Sequence, residues 1–236
     1  QGIIFLTGML ADKDYRQMTA RLAPFAKEFI CLTPDSPRAL QAEELADVLR
    51  QEGGEAICAE SPEAAIALAL EKSGGAPIVA CGSLYMMGDI RSKFRQIWKK
   101  FLRRRCIAAR KALSPEKRAA YDAVICIRIA DEMIALHPAG NDAWRKGMFD
   151  IPEPIPERSE TIAPEDIDLV LCPGTAFDEQ RHRMGMGAGY YDRFLPKCSN
   201  ASAVAVVYEI QKLDELPYEP WDVPMLAVFT EHRTLS

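Results

Sequence analysis

Apolar residues between positions 1 and 90 fall into four short runs, at 3–6, 28–32, 56–58 and 78–80. Helix-spaced apolar residues lie between the runs. Tyr15, Met18, Leu22 and Phe25 follow one helical face, and Leu40, Leu45, Val48 and Leu49 follow another. Ser61-Pro62-Glu63 opens a third helix. The serine hydroxyl can accept from an amide of the first turn, and proline suits a first helical position, where no N–H is needed. Its apolar residues run to Leu70, and Gly74-Gly75 stops it. Strand and helix in alternation predict βαβ units and a parallel sheet.

The pattern then changes. Residues 92–113 hold no Gly, Pro or acidic residue and predict one helix of about 30 Å or more. Phe94, Ile97, Trp98, Phe101, Leu102, Ala108 and Ala109 share its apolar face. From Arg91 to Lys111, ten of 21 residues are Lys or Arg. Lys99, Arg103 and Arg110 follow one border of the apolar face, and Lys93, Lys100, Arg104 and Lys111 follow the other. A solvated cationic face, a nucleic-acid or anionic-membrane contact, and a row of phosphate-binding cations all fit this pattern. Neither a set of stacking aromatics nor a second basic segment supports the nucleic-acid reading. Ser114-Pro115-Glu116 caps a further helix that runs to about Leu136.

The densest chemistry lies between Arg183 and Asp192, in the run Arg183-Met184-Gly185-Met186-Gly187-Ala188-Gly189-Tyr190-Tyr191-Asp192. Glycine at every second position lets several backbone amides face one anion without Cβ interference. Arg183 adds a fork-shaped cation suited to phosphate. The Asp192 carboxylate can hold a divalent cation. Together these residue types describe a nucleotide triphosphate site. A tight glycine turn before an ordinary helix start fits the same residues.

Composition narrows the class. The chain has 236 residues, 48% of them hydrophobic and 27% charged, with a formal charge of −5. That is a globular composition, and its charge gives no reason to expect bulk nucleic-acid binding. Seven cysteines form no CxxC pair and only three histidines are present, which argues against zinc. Cysteines in apolar settings, such as Cys58 and Cys172, read as small buried hydrophobes in a reducing, cytoplasmic compartment. No apolar run approaches the ~20 residues of a membrane span. An apolar strand directly after Gln1 reads as the start of a segment cut from something longer.

Residues 1–91 resemble part of the C-terminal domain of folylpolyglutamate synthases, a branch of the Mur ligase family. The resemblance is carried by 8–15 (Gly-Met-Leu-Ala-Asp-Lys-Asp-Tyr), by Thr33-Pro34 followed by Pro37-Arg38-Ala39-Leu40, and by Gly82-Ser83-Leu84-Tyr85. The family's P-loop signature GxxxxGK[ST] occurs nowhere in the chain, so polyglutamate synthesis by this chain alone is not expected. Asp12, Lys13 and Asp14 are expected to be solvated charges of a strand-to-helix turn.

Residues 92–236 resemble 5-formyltetrahydrofolate cyclo-ligases, also called methenyltetrahydrofolate synthetases. Lys99-x-x-Leu102-Arg103 followed by 110–114 (Arg-Lys-Ala-Leu-Ser) looks like their N-terminal helix. Ile151-Pro152-Glu153-Pro154 is similar to their Gly-Ile-x-Glu-Pro signature, with Asp150 in place of the Gly. Residues 167–178 fit their buried strand and following turn. The glycine run matches their nucleotide loop, and Leu216-Pro217 with Asp222-Val223-Pro224 matches their terminal pattern. Two departures stand out. Leu226 replaces an Asp. Between His137 and Trp144 a short connection stands where the family has two strands, a helix and the acidic residue that grips the pterin.

The resemblance implies an α/β fold with parallel or mixed sheets flanked by helices, in two segments joined by the long basic helix. It implies ATP and Mg²⁺ as cofactors and 5-formyltetrahydrofolate as the small-molecule substrate, with no nucleic-acid or membrane partner. Arg183 and Lys99 would neutralise charge during phosphoryl transfer. Lys99, Arg103, Arg183, Gly185, Gly187, Ala188, Gly189 and Tyr190 would surround the nucleotide, while Asp192 and Asp222 would hold the metal. Tyr191 is expected in the core, and Asp178 and His182 receive no role. The alternative is a non-catalytic remnant of a fusion, which binds nucleotide or serves as a structural domain.

Overall fold

The computed structural model describes residues 2–133, 144–146, 152–155 and 162–236. Two compact units divide after Leu102. The described residues are α/β, with a four-stranded parallel sheet, a four-stranded mixed sheet, two short two-stranded pairs and flanking helices.

The first unit contains β1 (Ile3–Gly8), α1 (Tyr15–Leu22), β2 (Ala26–Cys31), α2 (Ala42–Gln51), β3 (Ala56–Cys58), α3 (Pro62–Ser73), β4 (Ile78–Gly82) and the first part of α4 (Leu84–Lys111). All four apolar runs are strands, in the order β3-β2-β1-β4, and every pairing is parallel. Alternation along β1 explains the layers. Ile4 and Leu6 pack with Ile30, Ile66 and Leu70 on the face that meets α3 and α4. Phe5 packs with Phe29, Leu45 and Leu49 on the face that meets α2. Both faces are buried, as a parallel sheet requires. Phe5 and Phe29 stack at 5.3 Å. At the strand ends Gly82 has φ +118, and a Cβ there would lie 2.3 Å from the Gly8 carbonyl oxygen. Only glycine lets β1 and β4 finish side by side.

Ser61 caps α3 by accepting from the Ala64 amide at 3.1 Å, and Gly74 ends that helix in the left-handed region, both as expected. Phe25 lies beyond α1 and is 62% exposed, so the apolar face ends at Leu22. The basic helix begins earlier than residue 92. Ser83 starts α4 by accepting the Tyr85 amide on Oγ at 3.3 Å and the Met86 amide on its carbonyl at 3.2 Å, and the helix runs through Gly88. Phe94, Ile97, Trp98 and Phe101 pack against the first unit's core. Lys93 is paired with Glu63 at 2.7 Å.

The second unit contains the end of α4 and α5 (Pro115–Met133), β5 (Trp144–Lys146), β6 (Pro152–Pro154), β7 (Leu169–Pro173), β8 (Ala176–Phe177), β9 (Arg183–Met184), α6 (Tyr190–Phe194), β10 (Ser202–Val206), β11 (Ala227–Phe229) and β12 (Thr234–Leu235). Ser114 caps α5 through the Lys117 amide at 3.2 Å. The main sheet runs β12-β11-β10-β7; β7, β10 and β11 are parallel and β12 is antiparallel. Val170, Cys172, Phe177, Leu195 and Val228 form the core on one face. Ile125 and Ile129 of α5 cover Val204, Ala227 and Phe229 on the other. β7 was expected as a buried strand. It forms the sheet edge among the described residues, with Leu171 38% exposed. β5 and β6 pair antiparallel. The expected connection at 137–143 and the Asp150-Ile151 end of the Glu-Pro signature lie outside the described residues.

Candidate functional site

The glycine run is held by the strand and hairpin before it. β7 ends at Pro173-Gly174-Thr175, and a Cβ on Gly174 would meet Val207 at 2.8 Å. The Thr175 hydroxyl donates to the carbonyls of Met184 at 3.0 Å and Gly185 at 3.2 Å, fastening the strand end to the start of the loop. β8 and β9 form a short antiparallel pair, and the turn between them is built on Asp178. This carboxylate is fully buried. It accepts the amides of Gln180 at 3.0 Å, His182 at 3.0 Å and Leu216 at 3.1 Å, and meets His182 Nδ1 at 2.9 Å. The His182 ring stacks on Tyr218 at 4.1 Å. Arg181 sits in the left-handed region at φ 65, the one non-glycine residue of the described chain to do so.

This turn delivers Arg183 into a pocket where only 4% of its side chain is exposed. Nη1 donates to the Pro173 carbonyl at 3.1 Å, and the guanidinium lies 4.9 Å over the Tyr191 ring. Its nearest carboxylate contact, Asp192, is long at 3.5 Å, and its buried Nε has no partner. A buried guanidinium with so little compensation is a strong attractor for an anion. Burial pushes the nearby Cys172 thiol up to about 11, although the charge of Arg183 pulls it the other way.

Gly187 has φ 105 and Gly189 φ 63, conformations that side chains rarely take. Two more arginines hold the loop. Arg103 Nε donates to the Gly185 carbonyl at 3.0 Å, and Arg193 Nη1 to the Ala188 carbonyl at 2.9 Å. A trans peptide points its N–H opposite its C=O. The amides of Met186 and Gly189 therefore face away from these two guanidiniums. None of the amides from Met186 to Gly189 donates to a backbone carbonyl among the described residues. The loop is thus a set of open donors beside three arginines, an arrangement that suits phosphate.

The sequence placed Arg103, Arg183 and the glycines in one site, and in the second unit they lie together. Tyr190 is 64% exposed beside the loop, stacked on Phe194 at 6.1 Å. Tyr191 packs into the core. Asp192 keeps 35% of its side chain exposed next to Arg183. The Asp222 carboxylate accepts the Glu219 amide at 2.7 Å within its own turn. No group of three or more His, Cys, Asp or Glu among the described residues could hold a metal. One carboxylate with phosphate oxygens and water is ordinary for Mg²⁺, so Asp192 fits an ion carried in by a nucleotide. Lys99 stands one turn before Arg103 on α4, within the first unit. Sequence reasoning missed Thr175 and Arg193 and gave Asp178 no role. Arg193 directly follows the recognised run and could have been included with it.

Residues 126–231 match the 5-formyltetrahydrofolate cyclo-ligase family, and residues 1–84 match the Mur ligase, glutamate ligase domain. Two separate stretches of this chain thus match two different family models. The 5-formyltetrahydrofolate cyclo-ligase of Haemophilus influenzae is 35% identical over 36% of this chain and 46% of its own length. The chain thus spans less than half of the curated relatives it matches. The NMR structure of Aquifex aeolicus 5,10-methenyltetrahydrofolate synthetase aligns with 58% of this chain and 91% of that one, at 25% identity and a TM-score of 0.50. Mycobacterium tuberculosis folylpolyglutamate synthase aligns with 39% of this chain and 23% of that one, at 27% identity and a TM-score of 0.37. No helix among the described residues is long and apolar enough to cross a membrane.

In the Mur ligase-type segment the charged turn after β1 has structural work. Asp14 caps α1 by accepting the Gln17 amide at 3.2 Å. Asp12 pairs with Arg38 at 2.8 Å, and about half of each side chain is in solvent. Lys13 is exposed.

Proposed function

We propose that the cyclo-ligase-type segment, residues 92–236, performs ATP-dependent ring closure of 5-formyltetrahydrofolate to 5,10-methenyltetrahydrofolate in one-carbon metabolism. Residues 1–91 form the Mur ligase-type domain before it. The observation that carries this reading is Arg183, a buried guanidinium with an unpartnered Nε at the wall of an open glycine loop. The family match of residues 126–231 supports the substrate.

In this reaction the formyl oxygen attacks the γ-phosphorus and the bond to the bridging oxygen breaks, releasing ADP. The neighbouring amine then attacks the activated formyl carbon, the C–O bond to phosphate breaks, and the amine proton passes to solvent. No nucleophilic side chain is required, so the protein's part is positioning and charge neutralisation. Loop amides from Gly185 to Gly189 bind phosphate oxygens. Arg183, Arg103 and Lys99 neutralise developing charge, and Tyr190 borders the nucleotide. Asp192, with Asp222 as the second ligand implied by resemblance, would hold Mg²⁺, which would supply charge screening for the phosphates. Free cysteines at all seven positions accord with a reducing, cytoplasmic setting.

A second reading is a non-catalytic nucleotide-binding remnant. It is favoured by the outer edge of β7, which pairs with no strand among the described residues. Methenyltetrahydrofolate formation from 5-formyltetrahydrofolate and Mg-ATP, followed by absorbance, separates the two. Product that depends on Arg183 supports the enzyme. Folded protein that binds ATP and forms no product supports the remnant.

A further inference from the structure

One level of the first unit's sheet carries a row of thiols. Register pairs Cys58 of β3 with Cys31 of β2, Cys31 with Thr7 of β1, and Thr7 with Cys81 of β4. The order across the sheet is therefore Cys58, Cys31, Thr7, Cys81. The three cysteines share the face covered by α2, where they pack with Phe29 and Leu45. Thr7 stands two residues after Phe5 and faces the same side. Cys31 is buried, whereas Cys58 and Cys81 are partly exposed. The Thr7 hydroxyl is fully buried and has no hydrogen-bond partner. Burial raises the Cys81 thiol, and the Thr7 hydroxyl opposes that rise by favouring the thiolate. As thiols the sulfurs beside it are weak acceptors, so the hydroxyl is satisfied only when one of them is ionised.

Strand spacing sets the ligand number. Cys31 and Cys58 stand on neighbouring strands, about 4.8 Å apart, while Cys81 lies two spacings from Cys31, about 10 Å. No third His, Cys, Asp or Glu among the described residues completes a metal site with the pair. Two sulfurs do not make a tetrahedral zinc site. An ion that bonds two sulfurs in line lies on the path between them and needs no cavity. Soft thiolates select Cu(I), and a reducing environment that keeps thiols free also keeps copper in that state. Burial, and then Cys58, push the Cys31 thiol up to about 12, while Arg50 pulls it down. Cys58 is raised by burial and by Glu43, again against Arg50. Thiols held neutral in this way are poor nucleophiles, but a coordinating thiol is deprotonated outright by its metal. We infer that Cys31 and Cys58 form a two-thiolate site for a soft, linearly coordinated ion of the Cu(I) class, entered from the partly exposed Cys58 on edge strand β3. Each sulfur bonds the ion as its S–H bond breaks. Two protons pass to solvent, the ion keeps its oxidation state, and the complex carries one negative charge. Beside Cys31, the Thr7 hydroxyl gains an ionised sulfur to donate to.

The test uses the full chain, reduced and free of oxygen, titrated with Cu(I) against a colorimetric Cu(I) chelator. One ion per chain should resist the chelator. Cys58→Ser and Cys31→Ala should each weaken retention about a hundredfold or more, because a single thiolate remains. Thr7→Val should weaken it about tenfold, as loss of a supporting hydrogen bond does. Cys126→Ser, which removes an exposed thiol, and Cys81→Ser, which removes the far member of the row, should leave the ion in place. Thermal melting reports the folding of each variant, and Cys58→Ser, at the partly exposed end, carries the test if Cys31→Ala does not fold. X-ray absorption of the loaded protein should show two sulfurs in line. Ag(I), with the same charge and preference, should raise the melting temperature of the parent and not of Cys58→Ser. Unchanged retention in Cys58→Ser, loss in Cys126→Ser, or three sulfurs around the copper would overturn the inference. A Cys31–Cys58 disulfide formed with hydrogen peroxide, in a protein that retains no Cu(I), would overturn it as well and make the two a redox pair.

Discussion

In the first unit, Asp12 and Arg38 meet at 2.8 Å with about half of each side chain in water. In the second, Asp178 is fully buried and Arg183 shows only 4% of its side chain. Asp12 follows β1 and Asp178 follows β8, yet the energetics of the two settings differ. An exposed pair contributes about 0–1 kcal/mol and is screened by salt. A buried carboxylate must be satisfied from all sides, and Asp178 is, by three amides and a histidine. A buried guanidinium must be satisfied as well, and Arg183 is satisfied only in part, since its Nε has no partner. The acid is fully satisfied within the fold, and the arginine keeps a buried Nε without a partner.

The largest expected effect breaks the buried acid. Asp178→Ala leaves the amides of Gln180, His182 and Leu216 without their acceptor, and should cost about 3–5 kcal/mol in urea unfolding. Asp12→Ala, its solvated counterpart, should change stability by less than about 1 kcal/mol. Equal losses would erase the distinction between the two strand ends.

Arg183→Ala should do the opposite of Asp178→Ala. Removing an under-compensated buried cation should leave unfolding stability within about 1 kcal/mol, because lost packing and relieved desolvation offset one another. Mg-ATP affinity should fall about a hundredfold, measured by calorimetry. A variant that loses stability and keeps its ATP affinity would make Arg183 a structural residue.

A smaller effect sharpens the picture of how the arginine is aimed. Arg181 occupies the left-handed region with its own buried Nε unpartnered, and its carbonyl accepts the Met225 amide at 3.0 Å. Arg181→Gly should relieve the strain and raise stability by about 1 kcal/mol, since that region costs a side-chain residue about 1–2 kcal/mol. Little gain, or a loss, would mean that the side chain's packing outweighs the strain.

Much of this architecture was readable before any coordinates. Short continuous apolar runs found β1 to β4, because a sheet buried on both faces leaves short, dense signals. Ser61-Pro62 and Gly74 marked α3 because caps are local. The start of α4 was placed too late, at the first residue of the stretch free of Gly, Pro and acids, while the capping Ser83 and the core behind Met86 and Ile90 carry the helix through Gly88 and Asp89. In the site, Arg103 was legible through helix spacing and family resemblance, although its partner lies 82 positions away. Asp178 was not legible. One of its amide partners, Leu216, is 38 residues distant, and backbone amides leave no trace in residue identity. Nor could the strain at Arg181 be read, since an arginine carries no mark of its φ.

The subtlest prediction concerns another hydrogen-bonded acid of the second unit, Asp122, which faces an open groove between α5 and β7. Burial, and then the hydrogen bond to Asp122, push the Tyr208 phenol from 10.0 up to about 12. A tyrosine whose folded value is raised binds its proton more tightly in the native state than in the unfolded one. Its contribution is therefore complete below about pH 10, declines as pH rises, and is gone above about pH 12. Tyr208→Phe should unfold with the same pH dependence as the parent up to pH 10. Between pH 10 and 12 its stability should fall less steeply, because that linkage has been removed. Parallel curves for the two proteins across this window would show that Tyr208 titrates normally.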